Sequence, residues 1–313
     1  MNRRDFFKKS SAAAALGLVS RAPLFSQAAP SAPNSPAAQT PPVTEFKVLR
    51  GDVGYFTGRG GTIGWLASKD ALLVVDTQFP DTGALCLAGL PGRGNRSVDL
   101  VVNTHHHADH TSGNIVFKPA TKTIVAHANV PKLQFAAAEK AATLDKQVYA
   151  DTTFTDAWRH DLGSEVISAQ YFGPAHTKGD IAVTFEKANV VHLGDLMFNR
   201  LYPVIDRPGG ASIQGWIKRL EEITKAYPKD AIYIFGHGNP KFGVTGDLGE
   251  LMVLRDYLTG VLDYTQKQIS AGKTKEEIIV LENLPGFPDF HSPLPNRLGS
   301  NLGVAYDELT TKM

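Results

Sequence analysis

Apolar and polar positions fall into two rhythms along the chain. Short apolar runs of strand length come first: Phe46–Leu49, Val53–Phe56, Ile63–Ala67 and Ala71–Asp76, with Gly58–Gly61 as a tight turn. Aromatic and β-branched residues dominate these runs, the composition that packs on a pleated surface. The fourth run reads as a buried strand that ends in a polar residue, Asp76. Leu85–Leu90 predicts a short helix, and Leu100–Val102 the next strand. Further strands are expected over Thr123–His127, Val166–Phe172, Ile181–Phe185, Val190–Leu193 and Ala231–Phe235. Apolar residues at helical spacing predict helices over Asn129–Asp145, Ile213–Tyr227, Leu248–Ile269 and Lys275–Leu281, with a last one around Gly303–Leu309. Strands followed by a helix, with polar loops at the strand ends, occur in both halves. That echo predicts an α/β (α+β) domain of two sheets, covered by helices on both outer sides.

The first 42 residues lie outside this pattern. Arg3-Arg4 and Phe6-Phe7 precede the small apolar run Ala12–Val19, and Ser26-Gln27-Ala28 offers the small residues a signal peptidase prefers. The segment resembles a twin-arginine export signal and is too short to span a bilayer permanently. The Ala-, Pro-, Ser- and Thr-rich residues 29–42 cannot bury a core and read as a disordered linker. The expected organisation is therefore a signal peptide at 1–28, a linker at 29–42 and one domain over 43–313. A periplasmic or secreted location follows, with the twin-arginine translocation machinery as a partner and no permanent membrane span.

Charge removes other classes of partner. The formal net charge is +1, so neither a nucleic-acid footprint nor a polybasic membrane surface is expected. The single cysteine, Cys86, cannot form an internal disulfide, and its apolar neighbours make it a buried spectator.

The candidate chemistry begins at Thr104-His105-His106-His107-Ala108-Asp109-His110, directly after the Leu100–Val102 strand. In extended backbone His105 and His107 share a face while His106 points away. Asp109 and His110 follow where the strand gives way to a loop. Two ligands for one metal and two for a second is the geometry this spacing favours. His176, Asp195 and His237 each sit just past a predicted strand with glycine near them, where rigid elements aim loop side chains at a common point. His127, His160, His192 and His291 have no ligand-like spacing. His192 is at best a supporting residue. Thr177 and Asn239 read as surface turn residues, and Trp65, Phe79, Tyr202 and Trp216 as core or pocket walls.

His105-x-His107-x-Asp109-His110, followed in order by His176, Asp195 and His237, resembles the metallo-β-lactamase superfamily. The resemblance covers essentially the whole chain after Val43 and implies its αββα four-layer sandwich. It also implies that His105, His107 and His176 bind a first metal and that Asp109, His110 and His237 bind a second, with Asp195 bridging both. Two divalent ions are expected, zinc first, with iron or manganese tolerated by an oxygen-bearing bridge. A hydroxide held between the metals would attack an ester, thioester, lactone or amide, with Asp109 orienting it as the catalytic carboxylate. The substrate would be a small molecule.

One departure refines that expectation. Many true β-lactamases of this pattern carry a cysteine where this chain has Asp195, and a basic residue where it has Phe198. The aspartate bridge looks more like glyoxalase II and other hydrolases of the superfamily. Arg200 or Arg207 could supply a cation, but the sequence places neither near the metals. The alternatives are a true β-lactamase and, in another class, an iron-dependent redox enzyme such as a persulfide dioxygenase.

Overall fold

The computed structural model describes residues 43–292 and 294–311. The expected signal peptide and linker lie outside the described residues. The first sheet has seven strands in chain order: β1 (Glu45–Arg50), β2 (Val53–Thr57), β3 (Ile63–Ala67), β4 (Leu72–Val75), β5 (Val98–Asn103), β6 (Thr121–His127) and β7 (Thr152–Phe154). Its first four strands pair antiparallel, and β4 to β7 run parallel. The second sheet contains β8 (Ala157–Asp161), β9 (Val166–Tyr171), β10 (Ile181–Phe185) and β11 (Val190–His192). A two-residue strand, β12 (Phe198–Asn199), follows, and the second sheet resumes with β13 (Ile232–Ile234). β14 (His237–Gly238) pairs with β12, and β15 (Thr245–Gly246) completes the second sheet, whose order is β15-β13-β11-β10-β9-β8.

Helices α1 (Pro80–Gly89), α2 (Ala108–Thr111), α3 (Asn114–Phe117) and α4 (Val130–Lys140) connect strands of the first sheet. Those after the second sheet begins are α5 (Ile213–Ala226), α6 (Leu248–Ser270), α7 (Lys275–Ile278) and α8 (Arg297–Thr310). Ser212 and Asp247 cap α5 and α6 by accepting from the Gly215 and Gly249 amides, which satisfies otherwise orphaned donors.

Strand alternation assigns each layer. Leu73 and Val75 of β4 face the second sheet, where Val183, Phe185 and Val190 meet them. Their neighbours Leu72 and Val74 face the other way, onto Cys86 of α1 and Phe117 of α3. Across the sandwich, Ala182 and Val191 face outward to Trp216 and Leu220 of α5 and Leu258 of α6. β4 and β11 are thus buried on both faces, so their apolar runs are continuous rather than alternating. Each large apolar side chain fully buried there contributes about 1.5–3 kcal/mol. The layers are those of an αββα sandwich. Among the described residues no helix is long and apolar enough to cross a membrane.

Several boundaries differ from the sequence expectation. α1 starts at Pro80, five residues before Leu85, because proline suits the first helical turn. The helix expected to reach Asp145 stops at Lys140, where the chain turns through Ala142 at φ +53°. α8 begins at Arg297 rather than near Gly303. The strands β7 and β8 have no apolar alternation to announce them. Both are sheet edges, and most of their side chains are exposed.

Candidate metal centre

Chain ends of the inner strands converge on one rim of the sandwich. β5 stops at Asn103, so the histidine stretch is a bend followed by α2 rather than a continuation of the strand. β11 delivers Asp195 and β13 delivers His237, while His176 stands in the loop before β10. Gly194 adopts φ +50°, and a Cβ there would lie 2.4 Å from Thr104 Oγ1. A Cβ at Gly236 would lie 2.0 Å from Asp195 Oδ1, so both glycines let backbone pass where a side chain would collide.

The seven candidate ligands fall into two sets. Donor atoms of His105, His107, His176 and Asp195 lie within 4.8 Å of one another, as do those of Asp109, His110 and His237. Asp195 stands between them. Its Oδ2 lies 3.3 Å from His176 Nε2 and 3.7 Å from His105 Nε2. Its Oδ1 lies 3.1 Å from His110 Nε2 and 3.4 Å from His237 Nε2. Asp109 Oδ2 closes the second set at 3.1 Å from His237 Nε2. Buried His105 Nε2 and Asp195 Oδ1 have no hydrogen-bond partner among the described residues. Buried polar atoms are rarely left so, and imidazole nitrogens with carboxylate oxygens are the donor set of a divalent cation. The residues fit a metal.

Electrostatics separate the sets. Burial, reinforced by neighbouring imidazoles, lowers the His105 pKa well below the usual range, and burial takes His176 down to about 3. Burial opposes charge in the second set too, but there carboxylates outweigh it. Asp195 and Asp109 lift His237 to about 9, and with Asp76 they raise His110 well above its ordinary value. Asp109 falls to about 2: burial resists, and His110 and His237 overcome it.

Sequence reasoning missed the supports. Asp76, at the end of β4, is fully buried at φ +66°. Its Oδ1 accepts from the Thr104 amide at 2.7 Å, and its Oδ2 accepts from Thr104 Oγ1 and His110 Nδ1, each at 2.7 Å. The Thr104 hydroxyl oxygen is then free to accept from His105 Nδ1 at 3.1 Å. The available signal was a charged residue closing an otherwise apolar strand. His106 belongs to neither set; its Nε2 lies 3.4 Å from Asp206. Thr177, expected on the surface, is buried and bonded to Asp180, and Asn239 is buried with its side-chain amide 3.0 Å from His291. His192 bonds Thr62 and the Gly194 amide, outside the ligand sets.

Phe198 is buried against the sets, stacked on His237 at 5.1 Å and 5.5 Å from His176. Arg200 is paired with Glu250, and Arg207 with Glu308. Trp65 and Tyr202 lie in the core, as does Trp216, whose ring is 5.5 Å from His176. Phe79 is half-buried under the Arg59 guanidinium.

A sequence-family model described as the metallo-beta-lactamase superfamily matches residues 56–237. The chain is 30% identical over 179 residues to a hydroxyacylglutathione hydrolase of Methylococcus capsulatus, an alignment covering 54% of this chain and 61% of that one. Among solved structures, a stereoselective inverting sec-alkylsulfatase from Pseudomonas sp. superposes with TM-score 0.63 at 14% identity, over 83% of this chain and 49% of that one. A metallo-beta-lactamase from Pontibacter korlensis superposes with TM-score 0.54 at 17% identity, over 69% of this chain and 99% of that one. The chain thus spans less than two thirds of the hydrolase and about half of the sulfatase, and the two structures share its fold.

Proposed function

The chain belongs to the metallo-beta-lactamase superfamily, and from that premise we propose that it is a two-metal hydrolase of small acyl compounds. One observation supports this most strongly: the two oxygens of Asp195 point to different ligand sets, the placement a bridging carboxylate needs. In this reading His105, His107 and His176 hold one divalent ion, Asp109, His110 and His237 the other, and Asp195 both. Zinc is the proposed occupant. Bound ions supply Lewis acidity, lowering the pKa of water from ~15.7 towards 7 and polarising the substrate oxygen.

The protein residues do the rest. His107, Asp109 and His237 are the partly exposed members of the sets, at 22–28% of their side-chain surface, and so mark the approach for substrate. Asp109, held as a carboxylate, orients the attacking water and accepts its hydrogen bond. Asp195, Asp76 and Thr104 keep the imidazoles aimed. Phe198 places an apolar ring where a substrate-carboxylate clamp would stand, which favours esters, thioesters and lactones over β-lactams. The 30% identical relative is itself named for acyl hydrolysis, of hydroxyacylglutathione. For the N-terminus we propose export by the twin-arginine route to the periplasm or beyond; replacing Arg3 and Arg4 together by lysine should then stop export.

The test is a panel of ester, thioester, lactone and β-lactam substrates on zinc-loaded protein. Acyl substrates should turn over faster than nitrocefin, and exhaustive chelation should abolish activity until zinc is restored. Hydrolysis that survives chelation, or oxygen consumption by an iron-loaded form without hydrolysis, contradicts the proposal.

A further inference from the structure

A loop that carries none of the seven candidate ligands touches two of them from behind. Between β12 and α5, the Val204 carbonyl lies 2.8 Å from His176 Nδ1, and Asp206 Oδ2 lies 3.0 Å from His107 Nε2. We infer that the Val204–Gly209 loop is a clamp that sets the tautomers and ring orientations of His107 and His176, with Asp206 a positioning residue for the first ligand set. The inference rests on the reading that this set holds a cation.

Proton placement carries the argument. A carbonyl oxygen only accepts, so His176 bears its hydrogen on Nδ1 and its lone pair on Nε2. The Asp206 carboxylate also only accepts, so His107 bears its hydrogen on Nε2 and its lone pair on Nδ1. Those two lone-pair nitrogens face each other at 2.9 Å. With no proton between them they repel, and a shared cation relieves the repulsion. Without Asp206, His107 could place its hydrogen on Nδ1 and donate to His176, closing the site.

The loop is built around this carboxylate. Asp206 Oδ1 accepts from the Gly209 amide at 3.0 Å, and a Cβ at Gly209 would lie 2.0 Å from Asp206 Oδ2. The loop also grips the strand-end segment carrying His176, through Lys178 N to Gly209 O at 2.9 Å. His105 and His110 are held separately, by Thr104 and Asp76. The clamp should therefore act on one set only. His106, His107 and Asp206 could be read as a further cation group, since their donor atoms also lie within 4.8 Å. An ion there would require His107 to ligate through both ring nitrogens and lose both hydrogens, so acceptance of a hydrogen bond is the better account of Asp206.

The experiment follows zinc binding by chelator competition on the full chain, for wild type, Asp206→Ala, Asp206→Asn and Arg159→Ala. Asp206→Ala should weaken one of two zinc ions by about 10–100-fold and leave the other within twofold. Asp206→Asn keeps an oxygen that accepts from His107 and should retain most of that affinity. Arg159→Ala, which removes an exposed ion pair to Glu186 at the edge of the second sheet, should bind like wild type. Nitrogen-15 NMR of metal-free wild type supplies a readout that needs no variant: His107 should carry its hydrogen on Nε2. A hydrogen on Nδ1 with none on Nε2, unchanged zinc affinities in Asp206→Ala, or a third zinc lost with Asp206 would each overturn the clamp. A wild-type chain that binds no zinc would instead overturn the two-metal reading.

Discussion

The two ligand sets share a carboxylate and most of their residue types, yet they hold charge differently. In the first, buried His105 and His176 meet one oxygen of Asp195, and burial keeps both neutral. In the second, Asp109 and Asp195 face both His110 and His237, Asp76 adds to them at His110, and the carboxylates hold protons on those rings. A cation would therefore meet neutral imidazoles at His105 and His176 on one side and protonated imidazoles at His110 and His237 on the other. What differs is the number of carboxylates packed against each ring. The supports cut across the sets. A fully buried aspartate at a strand end holds His105 and His110, whereas a surface loop holds His107 and His176.

Removing what the sets share should have the largest effect. Asp195→Ala should take the chain below two zinc ions and cut hydrolysis by more than the 10–100-fold typical of supporting residues. Metal analysis showing two tightly held ions in that variant would remove Asp195 from between the sets. Asp76→Ala comes next, because it strips His110 directly and His105 through Thr104. It should weaken both ions by about 10–100-fold and, by leaving buried donors without an acceptor, lower stability by roughly 3–5 kcal/mol in denaturant unfolding. An effect confined to one ion would show that Thr104 holds His105 unaided.

The smallest effect belongs far from both sets. Asp99 Oδ2 accepts from the Leu72 amide at 2.8 Å, and Lys122 pairs with its Oδ1 at 2.6 Å. Burial resists ionisation, but these contacts lower the Asp99 pKa. A depressed carboxylate stabilises the fold above its unfolded pKa, and that contribution fades as pH falls through the folded value. Asp99→Asn should therefore cost at most about 1 kcal/mol at neutral pH, less in acid, with zinc affinity unchanged. A change in zinc affinity would mean that the sheet couples β5 to the centre.

Much of this was legible in the chain itself. The run Ala71–Asp76 announced a buried strand and Val190–Leu193 a further strand, and Ile213–Tyr227 announced an amphipathic helix. The polar edge strands β7 and β8 were not legible, because a strand exposed on both faces has no reason to alternate. In the centre, His105, His107, Asp109 and His110 stood out because their residue types crowd a short stretch. His176, Asp195 and His237 stood out by position after strands. Asp76 and Asp206 did not, since one aspartate at a strand end or in a loop looks the same whether it faces water or a histidine. Only the fold brings their carboxylates to ring nitrogens.

The most direct measurement is a zinc titration of metal-free protein by calorimetry across pH 5 to 8, in buffers of different ionisation enthalpy. Two ions should bind per chain. One should bind with little proton release, because burial keeps His105 and His176 unprotonated across that range. The other must displace protons held by His110 and His237, so its affinity should fall about tenfold for each unit that pH is lowered, per proton displaced. A single ion per chain, or two ions with the same pH dependence, would contradict the account of two unlike sets joined by Asp195.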